Sequence, residues 1–481
     1  MGKPFYLTTT LPYVNADPHI GFALEIVQAD AMARYHALLG DEVFFNTGTD
    51  EHGLKIWRKA QEEGKEPQVY VDEYAAKFRK LKEKLNLYEG LHFIRTTDPH
   101  HKAAAQEFWK RCEAAGDIYK KNYQVNYCVG CELEKTDSEL VDGRCPIHPK
   151  MDIEHISEEN YFFRWSKYQQ KILDEYIKNP QFVVPDFRFN EIKAFVERGL
   201  EDFSISRRKE KMPWGVPVPG DDEHVMYVWF DALINYISTL GWPEDTATFE
   251  KFWGTVSAPN GIQVAGKDNL RQQSAMWQAM LLSAGLPMSK QIVIHGFITS
   301  GGQKMSKSLG NVIDPYAIVD EYGTDALRYF LLRHIHSFED SDFTMERLKE
   351  AYNADLVNGL GNLASRILKL SETHLAGSPV SPDISFENAE LSEAIAAYDY
   401  NAYLSHVQMR ISGLNNYITE QKPFSVVKED EEKGKEQITH LTTELFKIAK
   451  ILEPITPTVS KIICDAITTN KKPENLFPRK E

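Results

Sequence analysis

The N-terminal segment contains a strand, a helix and a second strand, and this order restricts the fold more than any other feature of the chain. Residues 5–10 form a short β-type run, apolar residues recur at helical spacing over 20–38, and residues 43–45 open another apolar run. Two strands joined through a helix pair in parallel, with a right-handed crossover. We therefore expect an α/β protein with a Rossmann-type parallel sheet that binds ligands beyond the carboxyl ends of its strands.

The sheet pattern is interrupted and then resumes. Short aromatic runs and a cysteine cluster occupy residues 117–215, β-type runs return from residue 226, and a helical pattern dominates from residue 351. One sheet domain split by an insertion explains this order better than two separate nucleotide domains. We predict a Rossmann-type domain in two halves, a small connective insertion between them and a C-terminal α-helical bundle. The predicted boundaries are 1–116 and 216–350 for the halves, 117–215 for the insertion and 351–481 for the bundle.

Two turns suited to phosphate lie far apart in the sequence. His19 and Gly21 stand at the predicted start of the first helix, where free backbone N–H groups and the helix dipole favour anions. Lys304 and Lys307 follow a glycine turn and form a cationic loop. Each turn alone has an ordinary structural explanation. Together they predict that the chain uses ATP, with His19, Lys304 and Lys307 as catalytic groups.

The predicted insertion carries two short metal-binding patterns. Cys128 and Cys131 form a CxxC pattern, and Cys145 and His148 form a CxxH pattern thirteen residues later. Two such knuckles can close a tetrahedral structural zinc site, and four protein ligands leave no position open for catalysis. The alternative is a set of reduced cysteines beside a surface histidine. The regular spacing favours one structural zinc site.

Composition limits the location and the partners of the chain. A net charge of −15 argues against nucleic-acid binding over the whole surface, although a local basic face remains compatible with it. No apolar run approaches the roughly 20 residues that span a bilayer, and the N-terminus lacks a signal-peptide core. We expect a cytoplasmic protein without membrane contact. Because the chain ends at residue 481 with no space for an appended dimerisation domain, we also expect a monomer.

The two phosphate turns resemble the HIGH and KMSKS motifs of class I aminoacyl-tRNA synthetases. The second motif, residues 304–308, matches in all five positions. In the first motif, Phe22 stands where the family has a second histidine. Phenylalanine cannot donate a hydrogen bond to a triphosphate, so His19 and the lysine loop would carry more of the charge stabilisation. The resemblance also makes 216–350 the region that holds the lysine loop and contacts the tRNA stem.

Further segments along almost the whole chain resemble the methionyl-tRNA synthetases, of the bacterial type with one zinc knuckle. The matching segments are residues 11–13, 48–53, 159–164, 205–207, 228–232 and 362–366. This resemblance implies methionine, ATP with Mg²⁺, and tRNA(Met) as partners. It also implies a reaction through methionyl-adenylate, with release of pyrophosphate and AMP.

The same resemblance assigns two sets of site residues. The methionine-binding set comprises Leu11, Tyr13, Asp50, Trp229, Ala232, Tyr236 and Gln273. The ATP-binding set comprises His19, Gly21, Arg207, Gly266, Asp268, His295 and Lys307. Asp50 would hold the substrate ammonium group. Gln273 departs from the family, which usually has histidine there, so the pocket floor is expected to be more polar.

Anticodon recognition is assigned to the C-terminal bundle by the resemblance. Asn362 and Arg366 are four residues apart, so a helix presents both on one face. Phe424 lies in a segment where the family usually has a tryptophan that stacks on a base. A phenylalanine ring also stacks, over a smaller area.

Three rival interpretations remain at this stage. A cysteinyl-tRNA synthetase has a similar size and carries zinc, but there the metal holds the substrate thiol. A nucleotidyltransferase that does not act on tRNA would not need the long helical region. A tRNA-binding relative with impaired catalysis is favoured by Phe22 and Gln273 and opposed by the intact lysine motif.

Overall fold

The computed structural model describes residues 2–131, 133–305, 310–380 and 389–480, with backbone alone at 123–125, 133, 134, 138, 156, 157 and 304. The chain divides into two compact units. The sheet unit comprises Met1–Pro18, Asp41–Lys80 and Glu89–Ile294. The helical unit comprises His19–Gly40, Leu81–Tyr88 and His295–Glu481.

The strands are short, and most of them lie in the sheet unit, where they alternate with helices. In chain order they are β1 (Pro4–Thr9), β2 (Glu42–Thr49), β3 (Leu91–Arg95), β4 (Ile118–Cys128), β5 (Leu133–Lys135), β6 (Glu154–Phe163), β7 (Val183–Val184), β8 (Phe203–Ser204), β9 (Ser206–Arg208), β10 (Pro217–Val218), β11 (Asp221–Met226), β12 (Gly254–Thr255), β13 (Ala258–Pro259), β14 (Gly261–Gly266), β15 (Gln291–His295), β16 (Ile298–Ser300), β17 (Gln303–Lys304) and β18 (Ser341–Phe343).

Helices occur along the whole described chain and dominate its second half. In chain order they are α1 (Ile20–Leu38), α2 (Leu54–Glu62), α3 (Pro67–Arg79), α4 (Leu81–Lys84), α5 (Pro99–Ala114), α6 (Gln169–Lys178), α7 (Asp186–Glu197), α8 (Val228–Ala232), α9 (Asn235–Ser238), α10 (Thr246–Phe252), α11 (Trp277–Ser283), α12 (Pro315–Tyr322), α13 (Thr324–Arg333), α14 (Met345–Ala351), α15 (Asn362–His374), α16 (Ala389–Ala396), α17 (Tyr400–Gln421), α18 (Pro423–Glu429), α19 (Glu431–Leu452) and α20 (Pro457–Thr469). Short 3₁₀ turns occur at Asp137–Glu139, Trp165–Tyr168 and Lys267–Asn269, and π-helical segments at Gln272–Met276 and Tyr352–Gly361.

A six-stranded sheet forms the centre of the sheet unit, in the order β3-β2-β1-β14-β15-β7 among the described residues. β1 pairs in parallel with β2 and with β14, so that Leu7 lies opposite both Phe45 and Ile262. Every residue of β14 is buried, as are all but the first of β1. A parallel strand that is covered on both faces accounts for such an unbroken run of buried residues. The predicted α/β class, with one parallel sheet split in sequence, is confirmed.

The interruption of the sheet contains a second, antiparallel sheet in the order β5-β4-β6-β8. Its longest pairing joins β4 to β6, from Ile118 opposite Phe163 to Tyr127 opposite Glu154. β4 ends at Cys128, the first cysteine of the predicted zinc knuckle. Helices α14 to α20 follow the last strand, which confirms the helical C-terminal region. The four domain boundaries given above stay a prediction.

A cluster of aromatic rings forms the core of the sheet unit around Trp277. Its indole lies 5.6 Å from the Phe108 ring, 5.9 Å from Tyr236 and 6.2 Å from Trp253, measured between ring centroids. Large rings provide much apolar area at few rotatable bonds, so they pack into a rigid support. Tyr236, a predicted site residue, is thus held by the core of its own unit.

A buried arginine joins distant segments of the helical unit. Arg328, on α13, is fully buried and lies 2.7 Å from the carboxylate of Asp30 on α1. Its guanidinium also donates to the carbonyl oxygens of Leu85, Pro454 and Ile455, at 3.2, 2.8 and 2.8 Å. Burial lowers the pKa of Arg328, and the neighbouring Asp30 opposes that shift. The Asp30 carboxylate therefore compensates the buried charge of Arg328 by direct contact, and Asp325 adds a weaker attraction.

Replacing Asp30 by alanine is expected to lower the free energy of unfolding by about 3–5 kcal/mol, because Arg328 would keep a buried charge without its carboxylate. Urea denaturation followed by circular dichroism measures the change. The control is Asp465→Ala, which removes the exposed ion pair between Lys461 and Asp465; there the denaturation midpoint should not change. Equal midpoints for Asp30→Ala and the original chain would contradict the role given to this ion pair.

Candidate active site and metal centre

The carboxyl ends of β1 and β2 are fixed to one another by the chain that follows each strand. The Val14 N–H donates to the carbonyl oxygen of Asp50 at 3.2 Å, and the Asp50 N–H donates to that of Pro12 at 3.0 Å. These bonds place Tyr13 and Asp50 side by side as a parallel bridge. Two residues of the predicted methionine set are therefore neighbours at the edge where parallel sheets bind ligands.

A carboxylate beside Asp50 stiffens this edge. Glu51 is fully buried and receives both arms of the Arg95 guanidinium, at 2.7 and 2.8 Å. Thr49 Oγ1 donates to the same carboxylate at 2.5 Å, and the Glu51 N–H donates to Thr96 Oγ1 at 2.9 Å. Bidentate arginine–carboxylate pairs fix orientation as well as distance. Because Glu51 follows Asp50 directly, these bonds also fix the backbone at Asp50.

Helices α8 and α9 supply the second side of the predicted methionine pocket. Trp229 and Tyr13 both pack against a small cluster of buried side chains, namely Tyr127, Val129, Tyr227 and Val228. Ala232 accepts a hydrogen bond at its carbonyl oxygen from Asn235 at 2.7 Å, and the Tyr236 carbonyl accepts one from the Tyr6 hydroxyl at 2.6 Å. The structure therefore brings Tyr13 and Trp229 to one apolar cluster and ties Tyr236 to β1.

Gln273 lies beside Tyr236. Its side-chain amide donates to the Tyr236 hydroxyl at 2.7 Å and accepts a hydrogen bond from Gln263 Nε2 at 2.7 Å. The residue belongs to the π-helical segment Gln272–Met276, a widened turn that often marks a functional site. The structure thus places a pair of glutamines beside the tyrosine, and their role as a pocket floor stays a prediction. Sequence analysis missed Gln263, although a glutamine inside the apolar run of β14 was a usable signal.

A buried histidine–aspartate pair was also missed. His52 Nδ1 lies 2.8 Å from Asp231 Oδ2, and both side chains are almost fully buried. Burial raises the pKa of Asp231, with the charge of His52 acting against the rise. Nearby, burial followed by the charge of His52 lowers the pKa of His101 to about 3. The pair joins the end of β2 to α8, which carries Trp229 and Ala232.

In the helical unit, His19 caps α1. Its Nδ1 accepts the Gly21 N–H at 3.1 Å, and burial lowers the pKa of the imidazole. A neutral ring whose Nδ1 accepts carries its proton on Nε2, so His19 offers one N–H donor. A Cβ on Gly21 would lie 3.0 Å from the His19 ring, so a side chain at this position would crowd the imidazole.

The described part of the lysine motif lies next to that turn. Met305 Cε would be 3.7 Å from a Cβ placed on Gly21, and the Ile20 N–H donates to the carbonyl oxygen of Ile313 at 3.0 Å. The two predicted phosphate turns are therefore neighbours. Lys304 is described by its backbone in β17, where it pairs with Thr299. Lys307 lies outside the described residues.

The remaining predicted ATP residues occupy separate places. Gly266 ends β14 and Asp268 lies in the 3₁₀ turn that follows. Arg207 is buried, donates to Ser204 Oγ at 2.7 Å, and its guanidinium lies 4.4 Å from the Tyr227 ring centroid. His295 is in the helical unit, with Nε2 at 3.0 Å from Glu25 of α1. ATP binding by these four residues stays a prediction.

The four predicted metal ligands converge at the end of β4. The ligand atoms of Cys128, Cys131, Cys145 and His148 all lie within 4.8 Å of one another. Cys131 Sγ is 3.5 Å from Cys145 Sγ and 3.2 Å from His148 Nδ1. Tetrahedral zinc with Zn–S bonds of about 2.3 Å separates two sulfurs by about 3.7 Å. These residues therefore fit zinc.

Local backbone structure shapes this metal centre. A Cβ on Gly130 would lie 2.5 Å from the His148 ring, so the imidazole approaches only because residue 130 is glycine. Burial opposes ionisation of Cys145, but hydrogen bonds from the backbone N–H groups of His148 and Ile147 and from Cys131 and Cys128 together lower the pKa of this thiol. Backbone donors that favour thiolate are what a zinc ligand needs.

The predicted anticodon residues lie in the helical unit. Asn362 begins α15, and Arg366 one turn later donates to Asn415 Oδ1 on α17 at 3.2 Å. Phe424 stands in the first turn of α18 with 44% of its surface exposed. An exposed ring of this kind is compatible with base stacking. The assignment of all three residues to tRNA stays a prediction.

Comparison with known proteins decides the family. A protein-family model described as "tRNA synthetases class I (M)" matches residues 5–154 and 148–368 of this chain. The chain belongs to the class I methionyl-tRNA synthetase family.

Among the described residues, no helix has both the length and the apolar content that crossing a membrane requires.

Relatives of known function cover nearly the whole chain. A methionine–tRNA ligase of Nostoc sp. is 42% identical over 96% of this chain and 89% of the relative. One of Thermotoga maritima is 40% identical over 98% of this chain and 76% of the relative. The structure of Mycobacterium tuberculosis methionyl-tRNA synthetase in complex with methionyl-adenylate has a TM-score of 0.91 at 36% identity, covering 99% of this chain and 100% of that one.

Loss of one cysteine ligand is expected to remove bound zinc. Cys131→Ser leaves three ligands and should lower both the zinc content and the melting temperature, because a structural metal site contributes directly to folding. Atomic emission spectroscopy and thermal denaturation provide the two measurements. Cys464→Ser is the control, since this cysteine lies outside the cluster and should leave zinc content unaltered. A Cys131→Ser protein with full zinc content would show that this cluster is not the metal site.

Proposed function

We propose that this chain is a methionine–tRNA ligase that joins L-methionine to the 3′-terminal adenosine of tRNA(Met) and converts ATP to AMP and pyrophosphate. The main support for this proposal is the similarity to methionine–tRNA ligases, at about 40% identity along nearly the entire chain. The solved relative in complex with methionyl-adenylate supports the same intermediate here. The neighbouring positions of Tyr13, Asp50 and Trp229 in the sheet unit agree with this substrate.

In the first step, the methionine carboxylate attacks the α-phosphorus of ATP, forms methionyl-adenylate and expels pyrophosphate. Asp50 holds the ammonium group by a charge-assisted hydrogen bond. The side chain of the substrate methionine lies among Leu11, Tyr13, Trp229 and Ala232, and Tyr236 and Gln273 form the polar end of its pocket. Apolar and aromatic walls suit a polarizable thioether. No covalent enzyme intermediate is needed, so the protein acts by positioning and by charge neutralisation.

Charge on the triphosphate is neutralised by donors and cations. His19 donates from Nε2, Gly21 permits close approach of the backbone, and Lys304 and Lys307 supply positive charge together with Mg²⁺ bound to ATP. The other ATP contacts come from a further group of residues, namely Arg207, Gly266, Asp268 and His295. The cysteine–histidine cluster holds one zinc ion, whose role is structural because all four ligands come from the protein.

In the second step, the methionyl group moves to the 2′-hydroxyl of the terminal adenosine, as in class I enzymes. Asn362 and Arg366 contact the anticodon and Phe424 stacks on one of its bases. The protein works as a cytoplasmic monomer. A cysteinyl-tRNA synthetase is disfavoured, because a zinc ion with four protein ligands offers no position for a substrate thiol.

Amino-acid-dependent ATP–pyrophosphate exchange tests this function directly. With each of the twenty amino acids supplied in turn, methionine should give the highest rate by orders of magnitude. Charging of tRNA(Met) transcripts then tests the second step. Exchange with cysteine in preference to methionine, or no exchange with any amino acid while tRNA(Met) still binds, would contradict the proposal.

His19→Asn is expected to separate the capping role of His19 from its catalytic role. Asparagine is also a good N-cap and keeps α1 capped, but it has no Nε2–H to reach a phosphate. We expect an exchange rate lower by about 10²-fold, the usual size for one charge-stabilising donor, at an unchanged melting temperature. The activity loss would have to come from folding if the melting temperature fell in parallel.

Lys307→Ala is expected to reduce methionine-dependent exchange by orders of magnitude while methionine binding stays nearly unchanged. The reason is that a lysine of the loop stabilises charge that develops on the triphosphate in the transition state. Exchange kinetics and equilibrium binding of methionine by calorimetry separate the two effects. Unaltered exchange kinetics would remove Lys307 from the mechanism.

A further inference from the structure

A half-buried lysine, Lys55, stands in the first turn of α2, where the helix dipole disfavours a cation. The structure offsets this effect with acceptor oxygens from two other segments of the sheet unit. One segment is the chain after β1, which carries Tyr13. The other is the metal centre after β4, which includes Gly130. Lys55 has no role in the function proposed above.

Asn15 connects Lys55 to the backbone of Tyr13. The Tyr13 carbonyl oxygen can only accept and the Lys55 ammonium group can only donate, so together they fix the orientation of the Asn15 amide between them. Asn15 Nδ2 donates to the Tyr13 carbonyl oxygen at 3.0 Å, and Asn15 Oδ1 accepts from Lys55 Nζ at 2.9 Å. The backbone N–H of Asn15 donates to the same carbonyl oxygen at 2.8 Å. Lys55 Nζ also lies 5.9 Å from the centroid of the Tyr13 ring, at the outer limit of a cation–π contact.

The same ammonium group reaches the metal centre. Lys55 Nζ donates to the Gly130 carbonyl oxygen at 3.3 Å. The residue before this glycine, Val129, is buried in the small cluster against which Tyr13 packs. Lys55 therefore joins the backbones of two segments whose side chains, Tyr13 and Val129, belong to one apolar cluster.

We propose that Lys55 is a positioning residue for methionine binding, which fastens the chain carrying Tyr13 to the metal centre and so fixes the Tyr13 wall of the pocket. This inference rests on the proposed function. The parallel bridge to Asp50 already holds the Tyr13 backbone, and Lys55 adds a second attachment through Asn15. Because Lys55 acts through the tyrosine, its loss weakens the binding of methionine and leaves the chemical step nearly unaffected.

Arg58, one turn further along α2, provides a comparison within the same helix. Its Nη1 lies 3.0 Å from Glu154 Oε1 on β6, so this side chain also ties α2 to the insertion. Arg58 has no hydrogen bond or ion pair with the chain after β1, as far as the described residues extend. Both basic residues thus anchor α2 to the insertion, and of the two it is Lys55 that extends the anchor to Tyr13.

The test measures methionine-dependent ATP–pyrophosphate exchange by the full-length, zinc-loaded protein at saturating ATP. Lys55→Met keeps an unbranched apolar side chain and removes the charged donor. We expect it to raise the KM for methionine about three- to tenfold, the effect of one hydrogen bond, with kcat nearly unchanged. Calorimetry should show the same loss in equilibrium binding of methionine. Lys55→Arg keeps a charged donor and should restore most of the affinity.

A second variant and a matched control separate this attachment from general effects of charge. Asn15→Ala interrupts the attachment from the other side and should also raise the KM for methionine. In the double variant Lys55→Met/Asn15→Ala the increase should be smaller than the product of the two single increases, because both changes interrupt one attachment. Arg58→Met removes a basic group from the same helix and should leave the KM for methionine unaltered.

The outcomes are distinct. An unaltered KM for methionine in Lys55→Met overturns the proposal, as does an equal increase in Arg58→Met or a full product of effects in the double variant. Melting temperature and zinc content show whether Lys55→Met has kept its fold and its metal; where it has not, Asn15→Ala decides in the same way. Absence of methionine-dependent exchange in the original protein would instead contradict the proposed function.

Discussion

The pairing of β1 with β14 is the contact on which the organisation of the sheet unit depends. β1 lies between β2 and β14, and all but its first residue are buried, so its backbone groups have to be satisfied by these two neighbours. This pairing closes the sheet across a long insertion in the sequence. It also aligns the carboxyl ends of three strands, after which Tyr13, Asp50 and Asp268 follow in the chain.

Desolvation determines the chemistry of the groups placed at that edge. Polar side chains that leave water need partners, and two buried carboxylates here have a basic one: Glu51 pairs with Arg95, and Asp231 pairs with His52. The same requirement sets the state of His19, where burial and the Gly21 N–H keep the imidazole neutral with one donor. In each unit, burial thus decides which partners these polar groups need.

The sequence predicted the sheet, the helical C-terminal region and the metal centre because their signals are local. Apolar runs, a CxxC pattern and a glycine after a histidine each lie within a few residues of one another. The contacts that sequence analysis missed join distant residues: His52 and Asp231 are 179 residues apart, and Lys55 and Gly130 are 75 apart. The π-helical turn that positions Gln273 has no recognisable pattern in the sequence. Pairing across such distances follows from tertiary packing, which residue spacing does not encode.

Glutamine at position 273 differs from a histidine in how it can exchange protons. A neutral imidazole could also accept from Gln263 and donate to Tyr236, but a protonated ring would only donate and would reverse the bond to Gln263. An amide keeps one donor side and one acceptor side over the whole physiological pH range. Gln273 can therefore accept from Gln263 and donate to Tyr236 over that whole range of pH.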